Sequence, residues 1–273
     1  MLKVALPRGK SLEHRTLELL SQARITVRRQ GDLAHFPGTT ELAEGSFLKP
    51  KRIPPLVADG DFDIGITGED VVLESRAAVD VCARLNYSRS TDEHTRGVLF
   101  ASDKESVRSV RDIPKRSVVF SEYPNLTRAY FTRHGLDVEI VFSPGSAEAE
   151  VPRKYRFGVA LSETGRSLRE NGLMIVDVIF TSRTVLIANP QSLLNPVKRE
   201  AIKILQLILE GVEEARGKAF VSMNVPNGAI ANSERVASNM HCSTSARSSR
   251  PQGSGKYSRT LARSCRGLNG LET

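Results

Sequence analysis

Short, continuous apolar runs alternate along most of the chain with segments whose apolar positions recur every three or four residues. The runs are typical of buried strands, and the spaced segments of amphipathic helices. Residues 2–7 predict a strand, after which Ser11 is placed to cap a helix whose inner side includes Leu12. This alternation predicts an α/β fold. The further predicted segments are a helix at 53–59, a strand at 62–68, a helix from Glu69, strands at 98–102 and 117–121, a helix between Pro124 and Gly135, strands at 136–142, 175–180 and 183–190, and a long amphipathic helix at 196–216.

One segment, residues 157–173, combines a strand, a small polar turn and a helix start. Ser167 and Glu170 have the spacing of a capping box, and Gly172 is placed to end the helix. Free backbone N–H groups at the positive end of a helix form a site for phosphate. An ordinary strand-to-helix connection capped by Ser167 has the same local pattern. The segment alone therefore leaves two interpretations open, a phosphate site or a plain connection.

The composition describes a globular chain of 273 residues with a formal net charge of +8. Residues 236–273 hold six basic residues and one acidic residue, so the body of the chain carries only +3. This mild charge suits small anionic molecules, and no nucleic-acid-binding motif is present in the sequence. No apolar run is long enough to span a membrane, and three widely spaced cysteines predict neither disulfides nor a zinc site. We therefore expect a cytoplasmic protein without nucleic-acid or membrane partners.

The last segment, residues 236–273, is rich in serine and arginine and lacks hydrophobic periodicity. Such a composition buries too little apolar area to fold alone, so the segment is predicted to be disordered. Two interpretations remain: a basic arm for acidic partners, or a disordered terminus such as a reading-frame change would produce.

Four segments together resemble the ATP phosphoribosyltransferase family, which opens histidine biosynthesis. They follow the order of the family and cover most of residues 1–190, while residues 216–226 resemble the opening of the regulatory domain in the long form of the family. The four segments are LKVALPRGKSLEHRTLELL, LVADGDFDIGITGEDVVLE, EYPNLTRAYFTRHGLDVEIV and SETGRSLRENGLMIVDVIFTSRTVLIAN.

The resemblance implies a two-lobed α/β fold like that of type II periplasmic binding proteins, with the active site in the cleft. Lobe I would comprise residues 1–94 and 181–212, and lobe II residues 95–180. A degenerate C-terminal segment would follow, with a remnant of the regulatory domain at 213–235 and the tail at 236–273. We therefore expect histidine feedback inhibition to be absent or impaired, and a homo-oligomer that is a dimer rather than the hexamer of the long form.

The implied reaction is attack by N1 of ATP on C1′ of phosphoribosyl pyrophosphate, with loss of pyrophosphate. No His or carboxylate cluster in the sequence has metal-ligand spacing, so Mg²⁺ would arrive with the substrate phosphates and no residue is assigned as a metal ligand. Catalysis would then rest on positioning the substrates and stabilising the leaving diphosphate.

The resemblance also assigns site residues, although a solvated turn, a helix cap or a surface charge would explain most of them locally. The candidates for binding phosphoribosyl pyrophosphate are Glu163, Thr164, Gly165, Arg166 and Ser167. The candidates for binding ATP are Arg8, Gly9, Lys10, Asp70 and Tyr123. The catalytic candidates, which would steady the pyrophosphate, are Arg29 and Lys49.

The sequence departs from the family pattern where the strand leads into the phosphate loop. Acidic residues that can bind the ribose hydroxyls are usual there, whereas this chain has Arg156 and Ala160. Losing one charge-assisted hydrogen bond costs roughly 1.5–3 kcal/mol. In addition, Lys49 replaces a common Arg, and Arg52 replaces a common Asp. An alternative function is therefore a catalytically weak or inactive small-ligand-binding module of the same fold.

Overall fold

The structure is a computed structural model that describes residues 1–87, 94–151, 153–216, 218–226, 243–248 and 258–266; the side chains of Lys10, Ser11 and of everything after 216 lie outside the description. The chain divides into two compact units, Met1–Glu210 and Gly211–Thr273. The first unit contains both large sheets and the candidate site.

The strands of the first unit are mostly short and apolar, as the hydrophobic runs predict. They are β1 Leu2–Pro7, β2 Arg28–Gln30, β3 Leu33–His35, β4 Leu42–Leu48, β5 Ile64–Gly68, β6 Asp80–Leu85, β7 Thr95–Ser102, β8 Val118–Ser121, β9 Glu139–Phe142, β10 Phe157–Ser162, β11 Leu173–Ser182 and β12 Thr184–Ala188.

The helices lie between these strands and after the last of them. They are α1 Lys10–Gln22, α2 Ile53–Ala58, α3 Glu69–Ser75, α4 Pro124–Arg133, α5 Ala147–Glu150, α6 Arg166–Glu170, α7 Pro190–Leu194 and α8 Pro196–Ala215, with 3-10 turns at Pro50–Arg52 and Val110–Asp112.

The two sheets of the first unit share one topology. The first has the order β2-β3-β4-β1-β5-β12-β6, in which β4, β1, β5 and β6 run parallel and β12 runs antiparallel to its neighbours. The second has the order β11-β7-β10-β8-β9, in which β7 is the antiparallel strand. The β2–β3 hairpin is an extension of the first sheet. Without it, and with the strands of each lobe counted in chain order, both sheets have the order second, first, third, crossing strand, fourth. The crossing strand, which comes from the other end of the lobe's sequence, is β12 in the first sheet and β7 in the second. This repeat confirms the predicted two-lobed, type II periplasmic-binding-protein-like fold.

The central strands of each sheet are buried on both faces. All five residues of β12 are buried, and Ala5, Val185 and Ile187 pack beneath α2. In the second sheet, Val159 and Ala160 of β10 point into different apolar clusters on opposite faces. Strands covered on both faces read as continuous apolar runs, which is why these strands are visible in the sequence.

The carboxylate of Asp63 ties several elements of the first lobe together. It is 5% exposed and accepts hydrogen bonds from the Lys3 N–H at 2.8 Å, from the Ser192 hydroxyl at 2.5 Å and from the Lys198 ammonium at 2.7 Å. Burial alone raises the pKa of Asp63, but these three partners outweigh it and hold the pKa below its ordinary value.

The structure corrects two cap predictions and adds strands where none is predicted. Helix α1 begins at Lys10 with Gly9 at its N-cap, so Ser11 is not the cap. Helix α6 likewise has Gly165 at its N-cap, and Ser167 lies inside the helix rather than capping it. The stretch between α1 and α2, which shows no clear periodicity, contains β2, β3 and β4.

The second unit contains a three-stranded sheet of β13 Lys218–Pro226, β14 Ser243–Ser248 and β15 Ser258–Arg266, in the order β13-β15-β14. Two of these strands lie in the segment predicted to be disordered, so the structure differs from that expectation. Antiparallel strands pair through backbone N–H and C=O groups, which every residue except proline supplies in full. The amino-acid composition alone therefore does not predict strand pairing. The other residues of 236–273 lie outside the described ranges.

Candidate active site between the lobes

A cleft of about 250 Å³ lies between the two sheets and is lined by residues of both lobes. The first lobe contributes Lys49, Lys51 and Asp70, and the second contributes Tyr123 and Leu161. With Arg183, which follows β11 and also lines the cleft, three cations, one carboxylate and one aromatic ring therefore meet over a largely apolar floor. Such a combination can orient an anionic, partly aromatic ligand.

The two lysines flank the first residue of the 3-10 turn after β4. The carbonyl of Pro50 accepts a hydrogen bond from the Thr67 hydroxyl at 3.2 Å, which fastens this turn to β5. Lys49 and Lys51 are both exposed. The ammonium of Lys51 lies 5.5 Å from the centre of the Tyr123 ring, so it reaches the opposite lobe. Lys51 is a cleft residue that the sequence reasoning missed; its only signal was its place two residues after Lys49.

Asp70 is the buried carboxylate of the cleft, with 4% exposure. Its Oδ1 accepts a hydrogen bond from the Ser182 hydroxyl at 2.6 Å, and that hydroxyl oxygen accepts the Asp70 N–H at 3.0 Å. Ser182 ends β11, just before the single residue that leads back into β12. This pair of bonds therefore fixes the carboxylate at the point where the chain returns between the lobes.

Gly68 leaves the space in which Asp70 sits. A Cβ atom at this position would approach Asp70 Oδ1 well inside the 3.0 Å that real Cβ contacts respect, and it would lie 3.3 Å from Cγ. The backbone of Gly68 is ordinary extended chain (φ −79°, ψ 141°), so the reason for glycine here is space and not conformation.

Tyr123 faces the cleft from the start of α4. Its side chain is 1% exposed and packs edge-on against Phe180, with ring centres 5.2 Å apart. The Tyr123 N–H donates to the Ser121 hydroxyl at 2.9 Å, and that hydroxyl also shares a hydrogen bond of 2.7 Å with Thr127. The aromatic wall of the cleft is therefore held by the core of the second lobe.

The predicted phosphate loop follows Leu161, the last cleft residue on β10. Gly165 has φ +70°, a left-handed conformation that glycine adopts without strain. The loop hydroxyls bind the loop backbone: Ser162 accepts the Gly165 N–H at 3.0 Å, and Thr164 accepts the Arg166 N–H at 3.4 Å.

The charged residues of the loop have their own partners. The carbonyl of Glu163 accepts a hydrogen bond from Arg96 at 3.3 Å. The Arg166 guanidinium pairs with the Glu170 carboxylate at 2.7 Å on the exposed face of α6. This is an ordinary solvent-exposed i, i+4 ion pair of a helix. Ser167 is exposed at the second position of the helix.

The remaining candidates lie together in an ion-paired cluster after β1. Arg8 pairs with Asp32 at 2.8 Å, and the Gly9 N–H donates to Glu13 at 3.0 Å. Arg29 pairs with Glu13 and lies 4.5 Å over the Phe47 ring. The structure thus brings Lys49, Asp70 and Tyr123 to the cleft wall, whereas Arg8, Gly9 and Arg29 do not line it. The side chain of Lys10 lies outside the described residues.

The two positions at which the family usually has ribose-binding acids offer no acceptor to the cleft. Arg156 forms a two-pronged pair with Glu105 at 3.1 and 2.7 Å and is more than half exposed. This hydrogen bond from Arg156 lowers the pKa of Glu105 below its ordinary value. Ala160 is 3% exposed and packs in the apolar cluster beneath α5 and α6.

Among the residues that the structure describes, no group of three His, Cys, Asp or Glu side chains is arranged to hold a metal ion. Within the same residues, no helix has the length and apolar character to cross a membrane.

The paired sheets and the cationic cleft between them define a two-lobed, anion-binding class of protein. The family model for ATP phosphoribosyltransferase (HisG) matches residues 49–211. The ATP phosphoribosyltransferase of Chlorobaculum parvum is 36% identical over 231 residues, which cover 84% of this chain and 78% of that protein. The enzyme of the same name from Koribacter versatilis is 34% identical over 237 residues, covering 86% and 81%.

A solved structure agrees with these relatives. The ATP phosphoribosyl transferase (HisG:HisZ) complex from Thermotoga maritima matches with a TM-score of 0.65 and 27% identity, covering 78% of this chain and 99% of that one. The chain belongs to the ATP phosphoribosyltransferase family, which confirms the resemblance read from the sequence.

Proposed function

We propose that this chain catalyses the reaction for which its family is named. The phosphoribosyl group of phosphoribosyl pyrophosphate is transferred to N1 of ATP, giving phosphoribosyl-ATP and pyrophosphate, the first step of histidine biosynthesis. The observation that carries the proposal is the cleft itself, where Lys49 and Lys51 face Asp70 and Tyr123 next to the end of β10. Two anionic substrates that must meet need such a two-sided, cationic cleft.

In this proposal, residues Glu163 to Ser167 cradle the 5-phosphate of phosphoribosyl pyrophosphate. The support is positional, since the loop starts two residues after the cleft residue Leu161 and turns at Gly165 with φ +70°. The two loop hydroxyls that now accept loop N–H groups are donors as well, so they can rotate toward a phosphate oxygen.

The nucleophile and the leaving group need different partners. Asp70 and Tyr123, with Arg8, Gly9 and Lys10 beyond the cleft rim, are our candidates for ATP. Lys49, and Arg29 if it leaves Glu13, are our candidates for the departing pyrophosphate. The bond from C1′ to the pyrophosphate oxygen breaks as N1 forms its bond to C1′, so negative charge grows on the leaving group. A cation placed there lowers the barrier.

Mg²⁺ fits this cleft as a companion of the substrate phosphates. The cleft presents one carboxylate, Asp70, which is bonded to Ser182 at 2.6 Å. Mg²⁺ is commonly held by one or two carboxylates together with phosphates rather than by a cage of protein ligands. When bound, the ion would neutralise the pyrophosphate charge, and the lysines would orient it.

The second candidate function is a weak or inactive binding module with the same cleft. The observation in its favour is that Arg156 is paired with Glu105 and Ala160 is packed in apolar surroundings, so neither position supplies the ribose acceptor usual in the family. Titration calorimetry with phosphoribosyl pyrophosphate, followed by a turnover assay on the same sample, separates the two. Binding without product formation supports the module, whereas product formation supports the enzyme.

The proposed enzyme has lobe I at 1–94 and 181–212 and lobe II at 95–180, followed by a remnant of the regulatory domain at 213–235. A homodimer, a cytoplasmic location and absent or impaired histidine feedback inhibition stay predictions. Sedimentation of the purified chain tests the first. Inhibition by histidine at sub-millimolar concentration would contradict the last.

A further inference from the structure

Helix α4 begins without a capping side chain of its own. Its N-cap residue, Tyr123, makes no side-chain capping bond, and Pro124 has no N–H to donate. The N–H of Thr127 donates to the Tyr123 carbonyl at 2.9 Å. The N–H groups of Asn125 and Leu126 therefore need acceptors from outside the helix.

Both acceptors belong to one side chain of the opposite lobe. Oε1 of Glu74 accepts the Asn125 N–H at 2.9 Å, and Oε2 accepts the Leu126 N–H at 3.0 Å. The Asn125 side-chain amide donates in return to the Glu74 carbonyl at 2.9 Å. A carboxylate at this end is also favoured by the helix dipole. Three hydrogen bonds thus join α3 of the first lobe to α4 of the second.

The contact joins two helices that each carry or adjoin a cleft residue. Glu74 is four residues after Asp70 on α3, a spacing that places both on one face of that helix. On the other side, Tyr123 immediately precedes α4. Asp70 and Tyr123 both line the cleft. The Glu74 contact therefore fixes the distance between two cleft walls that belong to different lobes.

We propose that Glu74 is a positioning residue, which sets the spacing of the lobes across the cleft by capping α4. The inference rests on the proposed function, because it matters for catalysis only if the two substrates are held on different lobes. In that arrangement, a looser contact lowers the rate at which bound substrates react more than it weakens the binding of either one.

Glu74→Gln and Glu74→Ala test the proposal, with Glu105→Gln as the matched control because Glu105 pairs with Arg156 inside one lobe. Hydrogen exchange of the Asn125 and Leu126 amides reports the cap directly and needs no activity. Each hydrogen bond to a charged acceptor shifts the equilibrium between the closed and the open amide by roughly tenfold toward the closed form. We expect both Glu74 variants to exchange these amides about tenfold faster, and Glu105→Gln to leave them unchanged.

The kinetic readout is a fall of about tenfold in kcat, a change of less than about threefold in either KM, and partial recovery in Glu74→Asp. Faster exchange with unchanged kcat would overturn the proposal, because Glu74 would then only stabilise α4. Unchanged amide exchange in Glu74→Gln would overturn the proposal as well. If Glu74→Ala does not fold, Glu74→Gln alone provides the test. If the wild-type chain shows no turnover, the proposed function fails while the exchange result still decides whether the cap exists.

Discussion

Replacing Gly68 by alanine probes how the buried carboxylate of the cleft is held. The new Cβ atom would overlap Asp70 Oδ1, although the backbone at this position suits any residue. Asp70 must therefore turn away and give up the 2.6 Å hydrogen bond from Ser182. A lost hydrogen bond to a charged group costs about 1.5–3 kcal/mol and an off-rotamer side chain about 0.5–1.5 kcal/mol. The expected loss of unfolding free energy is about 2–4.5 kcal/mol.

Urea unfolding and steady-state kinetics measure the two consequences of this substitution. We expect Gly68→Ala to unfold at lower urea and to show a raised KM for ATP, since Asp70 is our candidate for that substrate. Gly211→Ala is the control, because among the described residues no atom beyond its own stretch of helix lies within 4 Å of its added Cβ. Alanine within helix α8 is expected to stabilise by up to about 1 kcal/mol. Wild-type stability and KM in Gly68→Ala would refute the reasoning about Asp70.

Three further predictions follow from single sites. The pKa of Asp63 is held below its unfolded value near 3.8, so the stability that Asp63 contributes is present above that pH and is lost as the pH falls through the folded pKa. Asp63→Asn should therefore flatten the acid side of the curve of unfolding free energy against pH. An unchanged acid side would contradict this. Gly165→Val places a branched residue at φ +70°, at a cost of about 1–3 kcal/mol, and should raise the KM for phosphoribosyl pyrophosphate without altering that for ATP. Arg156→Ala removes an exposed ion pair, so thermal unfolding should show a loss of less than about 1 kcal/mol.

The sequence predicts most closely the strands that are buried on both sides, and it misses the exposed hairpin. β1, β5 and β12 carry continuous apolar runs, and their predicted positions agree with the structure to within two residues. The hairpin of β2 and β3 was missed because Arg28–Gln30 are all exposed and show no alternation. Burial produces the pattern that sequence reasoning detects, so an exposed edge hairpin leaves no signal.

Helix caps show a second limit of the sequence. Ser11 and Ser167 are good capping residues, yet both helices have their N-cap two positions earlier, at a glycine. The cap of α4 comes from Glu74, 51 residues away in the chain and in the other lobe. Local spacing predicts only caps that are local, whereas this one depends on how the two lobes meet.

The candidate site, like the helix caps, is predictable from the sequence only in part. Lys49, Asp70 and Tyr123 were assigned through the resemblance, and the structure gathers them at one cleft. Lys51 was missed because an exposed lysine in a turn has no pattern of its own. Arg8 is a candidate for ATP and Arg29 for the pyrophosphate, and in the structure Asp32 and Glu13 pair with them. Ion pairing between distant segments is a tertiary property that charge counts do not report.

The most direct test of the proposed function is formation of phosphoribosyl-ATP from ATP, phosphoribosyl pyrophosphate and Mg²⁺ by the purified chain, followed by product absorbance with pyrophosphate removed. We predict turnover that falls by at least about tenfold in Lys49→Ala, because one cation on the leaving pyrophosphate is lost. A well-folded wild-type chain that binds phosphoribosyl pyrophosphate and yields no product would contradict the enzyme and support the binding module.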